Sequence, residues 1–157
     1  MPPDRSQPEF RLATPSDANL LLDFMRDYYA FDGHHYVREK ARAALLGLLN
    51  NSAFGLVWLV LDSATPVGYV VVCFGYSLEF QGRDAFLDEF YLVESHRRHG
   101  WGTRTIEYVR KQVALHNIRA IHLEVVHRNA VALEFYRKLG FTDRGHYLMT
   151  QRLADPR

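Results

Sequence analysis

Apolar and polar positions in the first third of the chain predict a short strand followed by two helices. They alternate over 9–12, which is typical of a half-buried strand. Residues 14–17 read Thr-Pro-Ser-Asp, a helix start with threonine as N-cap and an acidic residue three positions later. The helix that follows ends at the loop 32–35. Leucines spaced three to four residues apart predict a second helix over about 37–49.

From residue 56 onward, longer apolar runs bounded by turn residues predict strands. The first two are joined by a short turn and are expected to form a hairpin. The predicted strands are 56–61, 67–74, 85–93, 121–126 and 147–153.

Two more helices lie between these strands, over 103–116 and 129–140. Asn129 is the expected N-cap of the second, and Gly140 is expected to end it. The order of elements predicts a mixed α/β fold, with a right-handed crossover between the strands at 85–93 and 121–126. We expect a flexible N-terminal arm over 1–8 and a single domain over 9–157.

Composition narrows the class of protein. The chain has 157 residues, 48% of them apolar, and its 19 Lys and Arg nearly balance 18 Asp and Glu. A protein that neutralises nucleic-acid phosphates usually carries a basic excess, so no nucleic-acid partner is expected. The first ten residues lack the apolar core of a secretory signal, and no apolar run is long enough for a membrane span. We therefore expect a cytoplasmic protein with no membrane partner.

Cysteine and histidine usage argues against a metal centre. The single cysteine, Cys73, lies in an apolar run and is expected to be a buried, inert thiol. The pairs His34-His35 and His96-x-x-His99 lack a second pair at zinc spacing. No metal is expected.

The loop after the 85–93 strand carries the chemistry. Gly100 and Gly102 lie where the loop opens into a helix, so the unpaired N–H groups of the first helical turn can face an anion such as a diphosphate. The dinucleotide fingerprint needs a third glycine where Thr105 stands, and a P-loop needs a Gly-Lys pair that is missing. A nucleotide-phosphate enzyme is therefore the less favoured alternative.

A wider pattern resembles the GNAT superfamily of N-acetyltransferases. It combines Arg97-x-x-Gly100-x-Gly102 with Asn129-x-x-Ala132-x-x-x-Tyr136-x-x-x-Gly140-Phe141. The resemblance implies the GNAT (acyl-CoA N-acyltransferase) fold, an α/β fold with a mixed central β-sheet flanked by helices. It also implies acetyl-CoA as co-substrate and, as is common in the superfamily, a possible homodimer.

The resemblance further implies how acetyl-CoA is bound. Backbone amides of the loop hold its pyrophosphate, and the edge of the preceding strand holds its pantetheine arm. His99 and Trp101 are bulkier than the residues usual there, and Trp101 is expected to pack under the loop. The implied cofactor-binding residues are Phe90, Tyr91, Leu92, Arg98, His99, Gly100, Trp101, Gly102, Thr103 and Asn129.

The reaction needs a base and an acid. An alkyl ammonium attacks a thioester only after losing a proton, which a nearby carboxylate can accept. We favour Glu89 as this base, then Glu124, then Asp88. Adjacent strand residues face opposite ways, so Asp88 and Glu89 share a cleft only if a bulge intervenes. The resemblance implies that Tyr136 protonates the departing thiolate.

The acceptor side is indicated by aromatic and acidic residues. Aromatic side chains cluster around the corner at 28–36, which the resemblance places over the acceptor, and Tyr28, Asp32 and Asp88 are the expected substrate-binding residues. Acidic residues between 79 and 89 favour a small cationic, polyamine-like or aminoglycoside-like amine. The alternatives are a ribosomal-protein or peptide N-terminal acetyltransferase, and a CoA-binding sensor without catalysis.

Overall fold

A computed structural model describes residues 7–154. They divide into two compact units, of which one ends at Leu123 and the other begins at Glu124. Residues 1–6 of the expected arm lie outside the described residues, and the single domain over 9–157 stays a prediction. The elements are β1 (Glu9–Leu12), α1 (Ala18–Asp32), α2 (Arg38–Leu49), β2 (Gly55–Asp62), β3 (Thr65–Ser77), β4 (Gly82–Leu92), α3 (Trp101–Ala114), β5 (Ala120–His122) and α4 (Ala130–Lys138).

The first unit contains a mixed five-stranded sheet in the order β1-β2-β3-β4-β5. Strands β1 to β4 pair antiparallel, and β4 pairs parallel with β5 across the α3 connection. The predicted hairpin between β2 and β3 and the parallel crossover are confirmed. Helix α1 buries Leu21, Leu22 and Met25 in one cluster with Leu59 and Tyr69 of the sheet, which fixes the helix over one face.

The helix start predicted at Thr14 is a 3-10 turn, Pro15–Asp17, that runs directly into α1, and the predicted end of α1 is confirmed. The Thr14 N–H donates to Asp17 Oδ2 at 2.8 Å, and the same carboxylate forms an ion pair with Arg11. At the other end Gly33 has a φ of 75°, in the left-handed region that favours glycine, and its N–H donates to the Tyr29 carbonyl. The corner after α1 therefore has a defined geometry.

In the second unit, the predicted caps of α4 are present. Asn129 Oδ1 accepts from the Ala132 N–H at 3.1 Å. Gly140 has a φ of 89°, and its N–H donates to the Arg137 carbonyl at 3.0 Å. The Phe141 N–H donates back to the Tyr136 carbonyl at 3.0 Å, so α4 ends with Gly140 in the left-handed conformation.

Two strand predictions were wrong. The strand expected over 121–126 is the three-residue β5, and residues 147–153 form no strand in the described chain. Tyr147 and Met149 are 90% and 89% exposed. A period-two pattern yields a strand only where a neighbouring strand supplies the ladder of hydrogen bonds, and neither segment has such a partner over its full predicted length.

The structure shows no helix long and apolar enough to cross a membrane within residues 7–154.

Candidate active site

A β-bulge brings two carboxylates to one face of the sheet. Val71 pairs with Glu89 whereas Val72 pairs with Leu87, which leaves Asp88 as an extra residue on β4. The bulge resets the alternation of side chains. Asp88 has the orientation of the residues before the bulge that face α1, and Glu89 has that of the residues after the bulge that face α1. Both side chains therefore lie on the α1 side of the sheet. The sequence analysis required a bulge for Asp88 and Glu89 to share one face, and the structure contains it.

Glu89 is held by tyrosines from two other elements. Its Oε2 accepts from the Tyr29 hydroxyl of α1 at 2.6 Å, and its Oε1 accepts from the Tyr69 hydroxyl of β3 at 2.7 Å. Tyr69 is 1% exposed, so this side of the carboxylate is closed to solvent. Both oxygens keep a second lone pair for another donor.

Loss of water around the carboxylates is the largest cause of the pKa shifts of Glu89 and Asp88. It raises the pKa of Glu89 above its usual value, although the tyrosine hydrogen bonds act in the opposite direction. Neighbouring protein atoms raise the pKa of Asp88 in the same way, although its side chain is exposed. Burial and the Glu89 charge raise the pKa of Tyr29 and of Tyr69 as well, so both tyrosines remain protonated donors.

The aromatic corner is assembled around Tyr29. Its ring lies 5.6 Å from that of Tyr28 and 5.7 Å from that of Tyr36. Asp32 pairs with His34 at 2.7 Å, so this carboxylate is engaged within the corner. The expected substrate residues Tyr28 and Asp32 thus lie at the corner, but the side chain that reaches Glu89 is Tyr29.

Sequence reasoning named Tyr29 in the aromatic corner without assigning it a role at Glu89, and it missed Tyr69. Tyr29 lies four residues after Met25 and seven after Leu22, which are both buried, and this helical spacing could have singled it out. Tyr69 stands in an apolar strand, where a tyrosine is read as core, and only the register with β4 shows that its hydroxyl meets Glu89.

The glycine loop presents backbone N–H groups at the start of α3. Gly100 has a φ of 82° and precedes the helix, whose first hydrogen bond runs from the Arg104 N–H to the Gly100 carbonyl at 3.1 Å. Within residues 7–154, no protein acceptor is seen for the N–H groups of Trp101, Gly102 and Thr103. Together with the helix dipole they suit a diphosphate.

The residues around these donors hold the loop in place. Trp101 is 4% exposed and packs with Val60, Val67 and Leu92, which confirms the packing predicted for it. Thr105, at the position of the absent third glycine, is fully buried, and its hydroxyl donates to the Trp101 carbonyl. Arg98, with a φ of 61°, and His99 are exposed in the loop.

The edge of β4 is available over only part of its length. Pairing with β5 stops at Phe86, and the Val93 N–H donates to Val67 on the other side. Because backbone groups alternate along a strand, those of Phe90 and Leu92 point away from β3 and those of Tyr91 point toward it. The Tyr91 backbone therefore faces β3, and the binding of a cofactor by Tyr91 stays a prediction.

Arg97 occupies part of the same edge. Its Nε donates to the Leu92 carbonyl at 2.7 Å, and its guanidinium lies over the rings of Phe31 and Tyr91, at 5.2 and 5.3 Å. The Leu92 carbonyl is thus engaged. The Phe90 backbone and the Leu92 N–H are the edge groups left for a pantetheine arm.

The remaining predicted site residues lie in the second unit. Tyr136 is half-buried between the rings of Phe135 and Phe141, at 5.0 and 5.6 Å, and burial raises its pKa to about 12. Asn129 caps α4 with its side-chain oxygen. Glu124 is exposed and follows the end of β5 by two residues, rather than lying within a strand as predicted.

Cys73 is half-buried rather than fully buried as predicted, and it packs against the core cluster on the α1 side of the sheet. Burial and the charges of Asp88 and Glu89 raise the pKa of its thiol to about 11. The thiol is therefore protonated near neutral pH and a poor nucleophile. Residues 7–154 contain no group of three His, Cys, Asp or Glu side chains that could hold a metal ion.

The mixed sheet and the glycine loop that opens into α3 are features that the resemblance to N-acetyltransferases implies. The model of the acetyltransferase (GNAT) family matches residues 18–141, and the chain belongs to this family. The predicted α/β GNAT fold is thereby confirmed, and the family is one of acetyltransferases.

Solved structures and a curated relative are similar to this chain. An integron cassette protein from a salt-marsh metagenome is 28% identical, with a TM-score of 0.82 over 94% of this chain and 91% of its own. A predicted acetyltransferase from Clostridium acetobutylicum, solved with acetyl-CoA, is 17% identical, with a TM-score of 0.79 over 92% of this chain and 96% of its own. The second similarity shows the fold alone.

An uncharacterized N-acetyltransferase of Methanocaldococcus jannaschii is 28% identical over 141 residues, which is 85% of this chain. The chain spans 60% of the length of that relative.

Proposed function

We propose that this protein is an acetyl-CoA-dependent N-acetyltransferase that acetylates the primary amine of a small cationic, polyamine-like substrate by direct transfer in a ternary complex. The observation that carries the proposal is the bulge that places Asp88 and Glu89 on one face beside the aromatic corner.

The residues of the loop fit acetyl-CoA. The N–H groups of Trp101, Gly102 and Thr103 supply donors for a diphosphate at the positive end of α3. The Phe90 backbone offers one strand-edge position for an amide-containing arm. When bound there, acetyl-CoA supplies the thioester carbonyl that the amine attacks.

The two carboxylates favour a cationic acceptor. Asp88 is exposed, and no ion pair to it is seen in the described part of the chain. Arg83, the nearest basic residue in sequence, donates instead to the His116 carbonyl and lies over the Phe74 ring. The negative charge is therefore left for a substrate ammonium.

The proposed reaction divides the work between named groups. Glu89 takes a proton from the ammonium, directly or through one water, and the freed nitrogen lone pair forms the bond to the acetyl carbon. The carbon–sulfur bond breaks as the electrons move to sulfur. Tyr136 then gives its phenolic proton to the sulfur, while the second proton of the acetylated nitrogen leaves to solvent, from which the Tyr136 phenol regains a proton. The raised pKa of Cys73 supports direct transfer over an acetyl-cysteine route.

A panel of amines tests the substrate class. The full chain is incubated with acetyl-CoA and, separately, spermidine, propane-1,3-diamine, an aminoglycoside, an alanine-initiated peptide and aniline, and free CoA thiol is measured. We expect the multiply charged amines to give the highest kcat/KM, with a KM that rises with salt because exposed charges are screened.

Turnover of only the peptide or aniline would contradict the cationic substrate. CoA release with no amine in the panel, combined with tight CoA binding, would favour the sensor alternative. Initial rates that give parallel rather than intersecting double-reciprocal plots would contradict the ternary complex.

A further inference from the structure

We propose that Tyr29 and Tyr69 are positioning residues, which hold the Glu89 carboxylate in one orientation and keep it ionised for the proposed amine deprotonation. The inference rests on the proposed function and assigns roles to two residues that do not themselves contact the reacting atoms.

The geometry confines Glu89 from two directions. Tyr29 approaches from α1 and Tyr69 from β3, and each hydroxyl bonds a different oxygen of the same carboxylate, at 2.6 and 2.7 Å. Two such bonds from separate elements fix the plane of the carboxylate. They use one lone pair on each oxygen, so the remaining two point in directions set by the tyrosines.

Tyr29 connects the Glu89 carboxylate to the acceptor corner. It lies in the last turn of α1, and its ring contacts those of Tyr28, His34 and Tyr36. Tyr69 is fixed differently, within the core beneath the sheet, where its ring stacks near Phe24. The hydrogen bond from Tyr69 is therefore held by the core, whereas the hydrogen bond from Tyr29 comes from the segment that borders the proposed amine site.

Within residues 7–154, the ionisable groups that act on Glu89 besides the two tyrosines are Asp88 on β4, His34 at the corner and Cys73 on β3. Burial and the Asp88 charge raise the pKa of Glu89, whereas the two hydroxyls and a protonated His34 lower it. Removing a hydroxyl therefore raises the pKa of Glu89 further.

The sign of the expected effect follows. A general base works only when ionised, so activity falls as the pH drops through the pKa of Glu89. Loss of one hydrogen bond to a charged group shifts a pKa by roughly one to two units. The acid limb of the kcat/KM profile should move to higher pH by that amount in Tyr69→Phe and Tyr29→Phe, and farther in the double variant.

The matched control is Tyr36→Phe. The Tyr36 hydroxyl donates to the Leu22 carbonyl at 2.9 Å and not to Glu89, although its ring packs on the same corner. This variant loses a hydrogen bond of similar geometry, so we expect a comparable change in melting temperature with an unmoved acid limb. Variants that lose activity at all pH values equally, without a shifted limb, would show a structural role and overturn the proposal.

A second readout does not require turnover. The side-chain carboxyl carbon of Glu89, identified by its absence in Glu89→Gln, is titrated by carbon-13 NMR in the wild-type chain and in Tyr69→Phe. A higher pKa in the variant supports the proposal even if no amine in the panel is acetylated, in which case only the proposed function fails. An unchanged Glu89 titration overturns the positioning role while leaving the proposed function intact.

Discussion

Replacing Glu89 by Gln is expected to lower kcat with the preferred amine by about 10²–10⁴-fold, the usual contribution of one positioned proton acceptor. The amide matches the carboxylate in shape and can still accept from Tyr29 or Tyr69, but it cannot take a proton from the ammonium. The loss should concentrate in kcat, with CoA binding unchanged. Stopped-time assays at saturating acetyl-CoA measure it.

Variants of the other carboxylates serve as comparisons. Asp88→Asn removes a charge from the same face without touching the tyrosine hydrogen bonds to Glu89, and we expect it chiefly to raise the KM for the amine. Glu124→Gln should have little effect if Glu89 is the base. A Glu89→Gln chain that turns over normally while Glu124→Gln is inactive would transfer the role to Glu124.

Replacing Tyr136 by Phe should also produce a large loss, about 10²-fold or more in kcat, with CoA affinity retained. Only the hydroxyl is removed, so the ring contacts with Phe135 and Phe141 remain. Because the pKa of Tyr136 is raised to about 12, the phenol is protonated throughout the assay range and can donate to sulfur. No basic limb below about pH 10 should come from this residue.

Tyr147→Phe provides the matched control, since Tyr147 belongs to the same unit and is 90% exposed. We expect its kinetics to equal those of the wild-type chain. Wild-type turnover in Tyr136→Phe would remove this residue from the proposed reaction.

Local signals in the sequence predicted the parts of the structure that local interactions determine. The helix caps at Thr14, Asn129 and Gly140 depend on contacts within a few residues, and all three appear as expected. The same holds for the glycine loop, where a left-handed Gly100 precedes α3.

Features that depend on strand register could not be predicted in the same way. The bulge at Asp88 is a property of the β3–β4 pairing, and the β4 sequence alone does not indicate an extra residue. The meeting of Tyr69 with Glu89 follows from that register. The alternating pattern over 147–153 predicted a strand that the structure does not contain. Alternation carries no information about whether a partner strand is present.

Titration calorimetry with CoA tests the central claim, that the N–H groups at the start of α3 hold a diphosphate. We expect strong binding of CoA and much weaker binding of pantetheine, which lacks the diphosphate. Gly100→Ala should weaken CoA binding, because alanine at a φ of 82° costs about 1–2 kcal/mol and favours other loop conformations. Gly47→Ala, in α2 with open space around it, should not. No heat with CoA, or equal affinity for pantetheine, would contradict the account.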